Sequence, residues 1–244
     1  MKTQKKLWSA LAALCVATGT VAQPAYNYSK LQKEQLGRGV VAIRENPLDV
    51  VVSWRYLSSD PINTSFNVYR NGEKIAEVPH STGTFYRDTY SGNEKAVYTV
   101  KPVINGVETG KLNGNYTLPA NAPSGYIDIP LDRPAEGVTP SGQKYTYSPN
   151  DASIGDVDGD GEYEIILKWD PSNAHDNAHD GYTGNVYFDC YRLTGEKLWR
   201  IDLGHNVRAG AHYTQFMVFD LDGDGKAEAV SYTHLRAHET SLHL

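Results

Sequence analysis

The residues Asp156-Val157-Asp158-Gly159-Asp160-Gly161-Glu162-Tyr163-Glu164 recur 64 positions later as Asp220-Leu221-Asp222-Gly223-Asp224-Gly225-Lys226-Ala227-Glu228. In both runs carboxylates stand at places 1, 3, 5 and 9, and glycine stands at place 6. Alternate residues of a tight turn point inward, and glycine at the sixth place permits the sharp bend, so the pattern suits a hard cation held by oxygen, Ca²⁺ above all. The expected ligands are Asp156, Asp158, Asp160 and Glu164 in the first loop, and Asp220, Asp222, Asp224 and Glu228 in the second. The seventh residues, Glu162 and Lys226, would offer a backbone carbonyl. An EF-hand places its bidentate glutamate at position 12 between two helices. Here the glutamate falls at 9 among β-branched and aromatic residues, which argues for strands on either side. Two matches with both glycines in register weigh against a pair of ordinary acidic turns, and their spacing points to a structural repeat.

The text before the first loop is that of short strands. From Gly37 to about Pro119 the runs 40–43, 49–54, 65–70, 73–76, 84–88, 96–103 and 107–108 are rich in valine, isoleucine, tyrosine and phenylalanine. Asn71-Gly72 and Asn105-Gly106 are hairpin turn signals. Seven short strands in some 85 residues make a β-sandwich signature. The Trp54 strand, the Phe66-Asn67-Val68-Tyr69-Arg70-Asn71-Gly72 hairpin and Tyr98-Thr99-Val100 resemble a fibronectin type III-like domain over residues 30–118. Pro119 to Gly125 reads as a linker, and Tyr126 to Leu131 as a further strand. Beyond it, strands are expected at 163–170, 185–193, 197–203 and 214–219. Together they would make one four-stranded blade before the period restarts at the second loop.

Charge and cysteines narrow the classes. Net charge is −6 with no basic stripe, which argues against nucleic acid as a partner. Met1-Lys2-Thr3-Gln4-Lys5-Lys6, the apolar run Leu7–Val21 and Ala22 read as a signal peptide cut near Ala22, so the chain is expected to be secreted or periplasmic, without membrane insertion. With Cys15 in that leader, Cys190 stands alone in a strand-like run and is expected to be a small buried hydrophobe. Bound cations could then serve where disulfides do not. At the other end, residues 231–244 hold three of the eight histidines and lose all strand periodicity. They are read as an adapter-derived artefact rather than a zinc site, with the chain cut inside a strand.

Longer strings carry a sharper likeness. Asn150 to Pro171, Gly181-Tyr182-Thr183-Gly184-Asn185-Val186-Tyr187, Leu198-Trp199-Arg200-Ile201-Asp202-Leu203-Gly204 and Arg208-Ala209-Gly210-Ala211-His212-Tyr213-Thr214-Gln215-Phe216 resemble bacterial rhamnogalacturonan lyases of polysaccharide lyase family 11. The resemblance implies an all-β chain: a fibronectin type III-like sandwich followed by the start of a calcium-stabilised β-propeller, eight-bladed in the family, here over residues 119–230. It implies cleavage of the rhamnose–galacturonate bond of rhamnogalacturonan I in pectin by β-elimination, in a protein that is monomeric at full length. It also implies substrate contact at Asn150 and Asp170, which flank the first loop and its strand. The base and acid would lie in later blades, so no catalytic residue is assigned and the piece by itself is expected to be inactive. A different class stays open: a non-catalytic calcium-binding propeller module for adhesion or polysaccharide binding. The polar loop Asn173–Asp180, His212 and Arg208 read as a solvated loop, a packed histidine and a surface cation.

Overall fold

Alternation decides the first half of the molecule. In the computed structural model, which describes residues 35–110, 113–176, 178–210 and 213–231, eight strands build two facing antiparallel sheets. They are β1 (Val41–Asn46), β2 (Asp49–Ser53), β3 (Ser65–Arg70), β4 (Glu73–Val78), β5 (Phe85–Thr89), β6 (Ala96–Ile104), β7 (Val107–Glu108) and β8 (Gly114–Leu118). One sheet runs β1-β2-β5; the other runs β4-β3-β6-β7, with β8 also paired to β6. Val50 and Val52 of β2 face Phe66 and Val68 of β3 and Ala96, Tyr98 and Val100 of β6 in one core, as a period of two requires. Trp54 meets Phe66 edge to face with ring centroids 5.4 Å apart. Both Asn-Gly turns take left-handed backbone, φ 51° and 86° at Asn71-Gly72 and φ 51° and 78° at Asn105-Gly106, and the ladders close on Arg70–Glu73 and Ile104–Val107. The sandwich therefore forms as expected, with one strand more than the seven expected: β8, whose Leu118 is buried in the core.

Residues 126–131 do not form a strand. Pro130 offers no backbone donor, and Tyr126 and Asp128 are exposed, so there is neither a complete ladder nor an apolar face to hold one. The segment is tied by its ends instead. Gly125 donates to the Arg44 carbonyl at 2.7 Å, and the Asp132 amide donates to the Tyr191 hydroxyl at 3.1 Å.

The second half starts with a small ladder, β9 (Gly137–Val138) on β10 (Lys144–Tyr145), and continues into β11 (Tyr147–Gly155), β12 (Glu164–Pro171), β13 (Tyr187–Tyr191) and β14 (Lys197–Asp202). These last four form an antiparallel meander in sequence order. The fourth member is not 214–219, as the sequence reading had it, but β11, a strand whose exposed polar residues Ser148 to Asp151 hide its periodicity. Residues 216–219 instead form β15, which pairs with β16 (Glu228–Ser231) across the second acidic loop. Each loop thus joins two antiparallel strands, β11 to β12 and β15 to β16. Both faces of the meander are covered: Ile166, Val186, Phe188, Cys190 and Ala209 on one, Tyr147, Leu167, Trp169 and Tyr191 on the other. Cys190 is fully buried as expected, and burial pushes its thiol up to about 12. The Asp189 carboxylate, also buried, accepts from Trp169 Nε1 at 2.8 Å and the Tyr191 hydroxyl at 2.6 Å, and pairs with Arg200 at 2.7 Å.

The expected leader and residues 232–244 lie outside the described residues, as does His212. No helix among the described residues is long and apolar enough to cross a membrane. Truncating Phe66 to alanine should lower stability to urea by roughly 3–5 kcal/mol, the cost of a large cavity in a packed core. The same change at Phe85, which is 57% exposed, should cost under about 0.5 kcal/mol.

Candidate metal centre

The two acidic loops share most of their internal wiring. In the first, the Asp156 carboxylate accepts the amides of Gly159 at 2.7 Å, Asp160 at 3.1 Å and Gly161 at 2.9 Å. In the second, Asp220 accepts those of Gly223 at 2.7 Å and Gly225 at 3.1 Å. The carboxylate at the third place of each run takes the amide two residues on: Asp158 from Asp160 at 3.1 Å, Asp222 from Asp224 at 3.0 Å. The fifth does likewise, Asp160 from Glu162 and Asp224 from Lys226, each at 2.9 Å. The glutamate at the ninth place reaches back to the second residue, Glu164 to the Val157 amide at 3.0 Å and Glu228 to the Leu221 amide at 2.7 Å. This closing contact explains the ninth place: Glu164 and Glu228 open the return strands β12 and β16, and their side chains point back across the turn. The glycines carry the bends, with φ 80° and 91° at Gly159 and Gly161, and 76° and 97° at Gly223 and Gly225.

Carboxylate oxygens gather in both loops. Asp156, Asp158 and Glu164 in the first, and Asp220, Asp222, Asp224 and Glu228 in the second, each bring a ligand atom within 4.8 Å of the others. An all-oxygen, multiply charged donor set of this size suits a hard divalent cation. Asp160 departs from its counterpart Asp224. Its carboxylate is drawn off by Arg192, at 2.6 Å, and Arg192 also pairs with Asp158. Burial alone would raise the Asp160 carboxyl, but the hydrogen bond and charge of Arg192 together with the Glu162 amide outweigh it and hold the group below its usual range. The side chains at the seventh place do not join either cluster. A methyl group placed on Gly37 would lie 2.8 Å from Glu162 Oε1, so that carboxylate faces the sandwich, and Lys226 lies across Gly159. Only their carbonyls remain as donors. Burial pushes the Glu164 carboxyl up to about 7, with the charges of Asp158 and Asp160 adding to the effect.

The first loop is also a junction. The Asp156 carbonyl accepts the Ala227 amide at 2.7 Å, joining loop one to loop two, and the Gly161 carbonyl accepts the Gly37 amide at 2.5 Å, joining it to the segment leading into the sandwich. Arg55, from the sandwich, stacks over Tyr163 at 4.5 Å.

Asn150 and Asp170 lie at one end of the β11–β12 ladder. Ser148 pairs with Asp170 and Pro149 with Trp169, after which the register slips until Ala152 meets Leu167. Asn150 and Asp151 therefore bulge opposite Lys168. Asp170 Oδ1 is shielded from solvent and has no hydrogen-bond partner. Burial raises the Asp170 carboxyl; Lys168 opposes the shift and Asp151 adds to it. Beyond β12 the 173–180 loop wraps around Arg208, which donates to the carbonyls of Asp176 at 3.3 Å, His179 at 2.7 Å and Gly181 at 2.6 Å. Arg208 is thus an organiser of that loop rather than a bare surface charge. Sequence reasoning also passed over Arg192. Its signal was the ladder itself, because Ile165 pairs with Tyr191 and the next position places Arg192 beside Glu164.

Comparison with known proteins covers nearly all of the chain. Residues 126–240 match the model described as rhamnogalacturonan lyase family 11, C-terminal domain, and residues 31–116 match that of the rhamnogalacturonan I lyases beta-sheet domain. Rhamnogalacturonan endolyase YesW of Bacillus subtilis (strain 168) is 48% identical over 237 residues, which cover 96% of this chain and 37% of that protein. Rhamnogalacturonan exolyase YesX of the same organism is 52% identical over 204 residues, covering 84% of this chain and 32% of that one. The crystal structure of exotype YesX superposes with a TM-score of 0.71 at 52% identity, over 82% of this chain and 32% of that chain. A Bacillus licheniformis family 11 lyase structure gives 0.69 at the same identity, over 82% and 33%. The chain spans about a third of the length of the relatives it matches.

In the protein stripped of divalent cations, Glu164 should make stability pH-dependent. A carboxyl whose folded value is raised from 4.5 to about 7 favours the folded state while protonated. Its contribution is complete below the unfolded value near 4.5 and fades as pH rises through 7. Melting temperature in chelator should fall over that window, and Glu164→Gln should flatten the fall.

Proposed function

We propose that this chain, which belongs to rhamnogalacturonan lyase family 11, is part of an enzyme that cleaves the rhamnose–galacturonate bond of rhamnogalacturonan I by β-elimination. The observation that carries the reading is identity of 48% and 52%, along most of the chain, to two proteins that are both rhamnogalacturonan lyases. Because those relatives are lyases, the adhesion alternative gives way. The substrate is then a pectic polysaccharide, met in the periplasm or outside the cell.

Elimination needs an acidified C5 proton, a base to take it and an acid for the departing rhamnosyl oxygen. No water attacks, so the paired carboxylates of a glycoside hydrolase are not required. Of the residues described, Asn150 and Asp170 fit substrate binding: an amide in an exposed bulge and a carboxylate with an open acceptor both suit sugar hydroxyls. Base and acid are assigned to none of them.

Calcium is the cation we assign to Asp156, Asp158 and Glu164 and to Asp220, Asp222, Asp224 and Glu228, with the carbonyls of Glu162 and Lys226 beside them. Bound there, it supplies positive charge that offsets the clustered carboxylates and stiffens each turn. We read the β11–β14 meander as a propeller blade and β15–β16 as the opening of the next. Support comes from the repeated strand, acidic loop, strand unit, and from Met217 and Phe219 of β15, 53% and 61% exposed, which an adjoining sheet would cover.

The test is turnover by the complete protein on purified rhamnogalacturonan I, followed by ultraviolet absorbance of the unsaturated product. Absorbance should rise on this polymer, stop in chelator and return with calcium. Depolymerisation without unsaturated ends would mean hydrolysis, and tight binding without cleavage would restore the binding-module reading.

A further inference from the structure

Lys168 has no exposed surface, yet it carries a charge into the covered face of β12. Its ammonium donates to Asp151 Oδ2 at 3.0 Å and to the Tyr213 carbonyl at 3.4 Å. Its neighbours on that face include Ile166, with Phe188 opposite it in the ladder, so an aliphatic side chain would pack there. Desolvating the Lys168 ammonium costs free energy that its partly exposed partner Asp151 offsets only in part, so an apolar residue of the same size would stabilise at least as well. The lysine is better explained by what it holds.

It holds the bulge. Asn150 and Asp151 stand as two residues against Lys168 alone, and bulges re-aim side chains next to functional sites. Asp170 follows two residues after Lys168 and so shares its face of the strand. The Oδ1 atom of Asp170, shielded and without a partner, is an acceptor that a bound hydroxyl would complete. We propose that Lys168 is a positioning residue: anchored on Asp151, it sets the bulge that presents Asn150 and places its charge on the same face as the Asp170 carboxylate, so that Asn150 and Asp170 both meet the hydroxyl groups of the polysaccharide. The inference rests on reading Asn150 and Asp170 as sugar contacts.

The charged groups acting on Asp170 are Lys168 from its own strand and Asp151 from β11, and their effects have opposite sign. That opposition separates positioning from packing. In the complete protein, affinity for a rhamnogalacturonan I oligosaccharide is measured against pH for the wild type, Lys168→Met, Lys168→Arg and Asp151→Asn. Lys168→Met should weaken binding about tenfold near neutrality and move the acid limb of the profile up by roughly one pH unit, a tenfold change in proton activity. Asp151→Asn should move that limb down, and Lys168→Arg should recover most of the affinity. If Lys168→Met does not fold, the direction of the Asp151→Asn shift and the arginine rescue decide. Wild-type limbs in both charge variants, or shifts in the same direction, would overturn the proposal. A wild type that binds galacturonan but not rhamnogalacturonan would instead overturn the functional reading beneath it.

Discussion

One buried carboxylate organises the centre of the molecule. Asp156, with no exposed surface, takes three amides of its own turn and so fixes the path of the chain from β11 to β12. With that path fixed, the Gly161 carbonyl faces the Gly37 amide and the Asp156 carbonyl faces the Ala227 amide. The sandwich, the meander and the second loop therefore meet at one nine-residue turn. Gly161 is demanded twice: by its φ of 91°, and by the Gln35 carbonyl, which would lie 2.9 Å from any added Cβ. A side chain there would strain the turn and part the two halves of the chain together.

The same nine-residue design serves two purposes. In the first copy Glu164 is buried and Arg192 reaches over Asp158 and Asp160, so part of the acidic charge is neutralised from within the protein. In the second copy all four carboxylates stay in the cluster, with Asp222 and Asp224 exposed. A cation at the first site would share its carboxylates with a guanidinium, whereas the second offers a fuller, wetter donor set. Equal motifs in unequal surroundings give the first loop its joining role and leave the second the more open to solvent.

Much of this was legible in the residues. The loops, both Asn-Gly hairpins and the sandwich core follow from glycine placement and alternation, because local chemistry dictates them. What escaped had no local signature. The first strand of the meander was missed because its bulge and its exposed run Ser148–Asp151 break the period of two, so 214–219 was promoted in its place. Residues 126–131 have strand-like composition but no partner edge, and pairing is a property of the whole sheet. Asp160 looked like an equal ligand until Arg192, 32 residues away in the chain, arrived beside it. Nothing local to Lys168 announces its burial, which comes with its pairing to Phe188 of β13 and the approach of the Tyr213 carbonyl.

The central proposal is that a cation at the first loop would stiffen the joint that the Gly37–Gly161 bond makes between the sandwich and the meander. Hydrogen exchange of the complete protein, followed by mass spectrometry with and without calcium, tests it at the amides concerned. The account predicts slower exchange with calcium in peptides covering 156–164 and 220–228, and together with them in the peptide covering 35–40, whose Gly37 amide bonds to Gly161. Protection confined to the acidic loops, with 35–40 unchanged, would contradict the joining role; no protection anywhere would contradict the metal site itself.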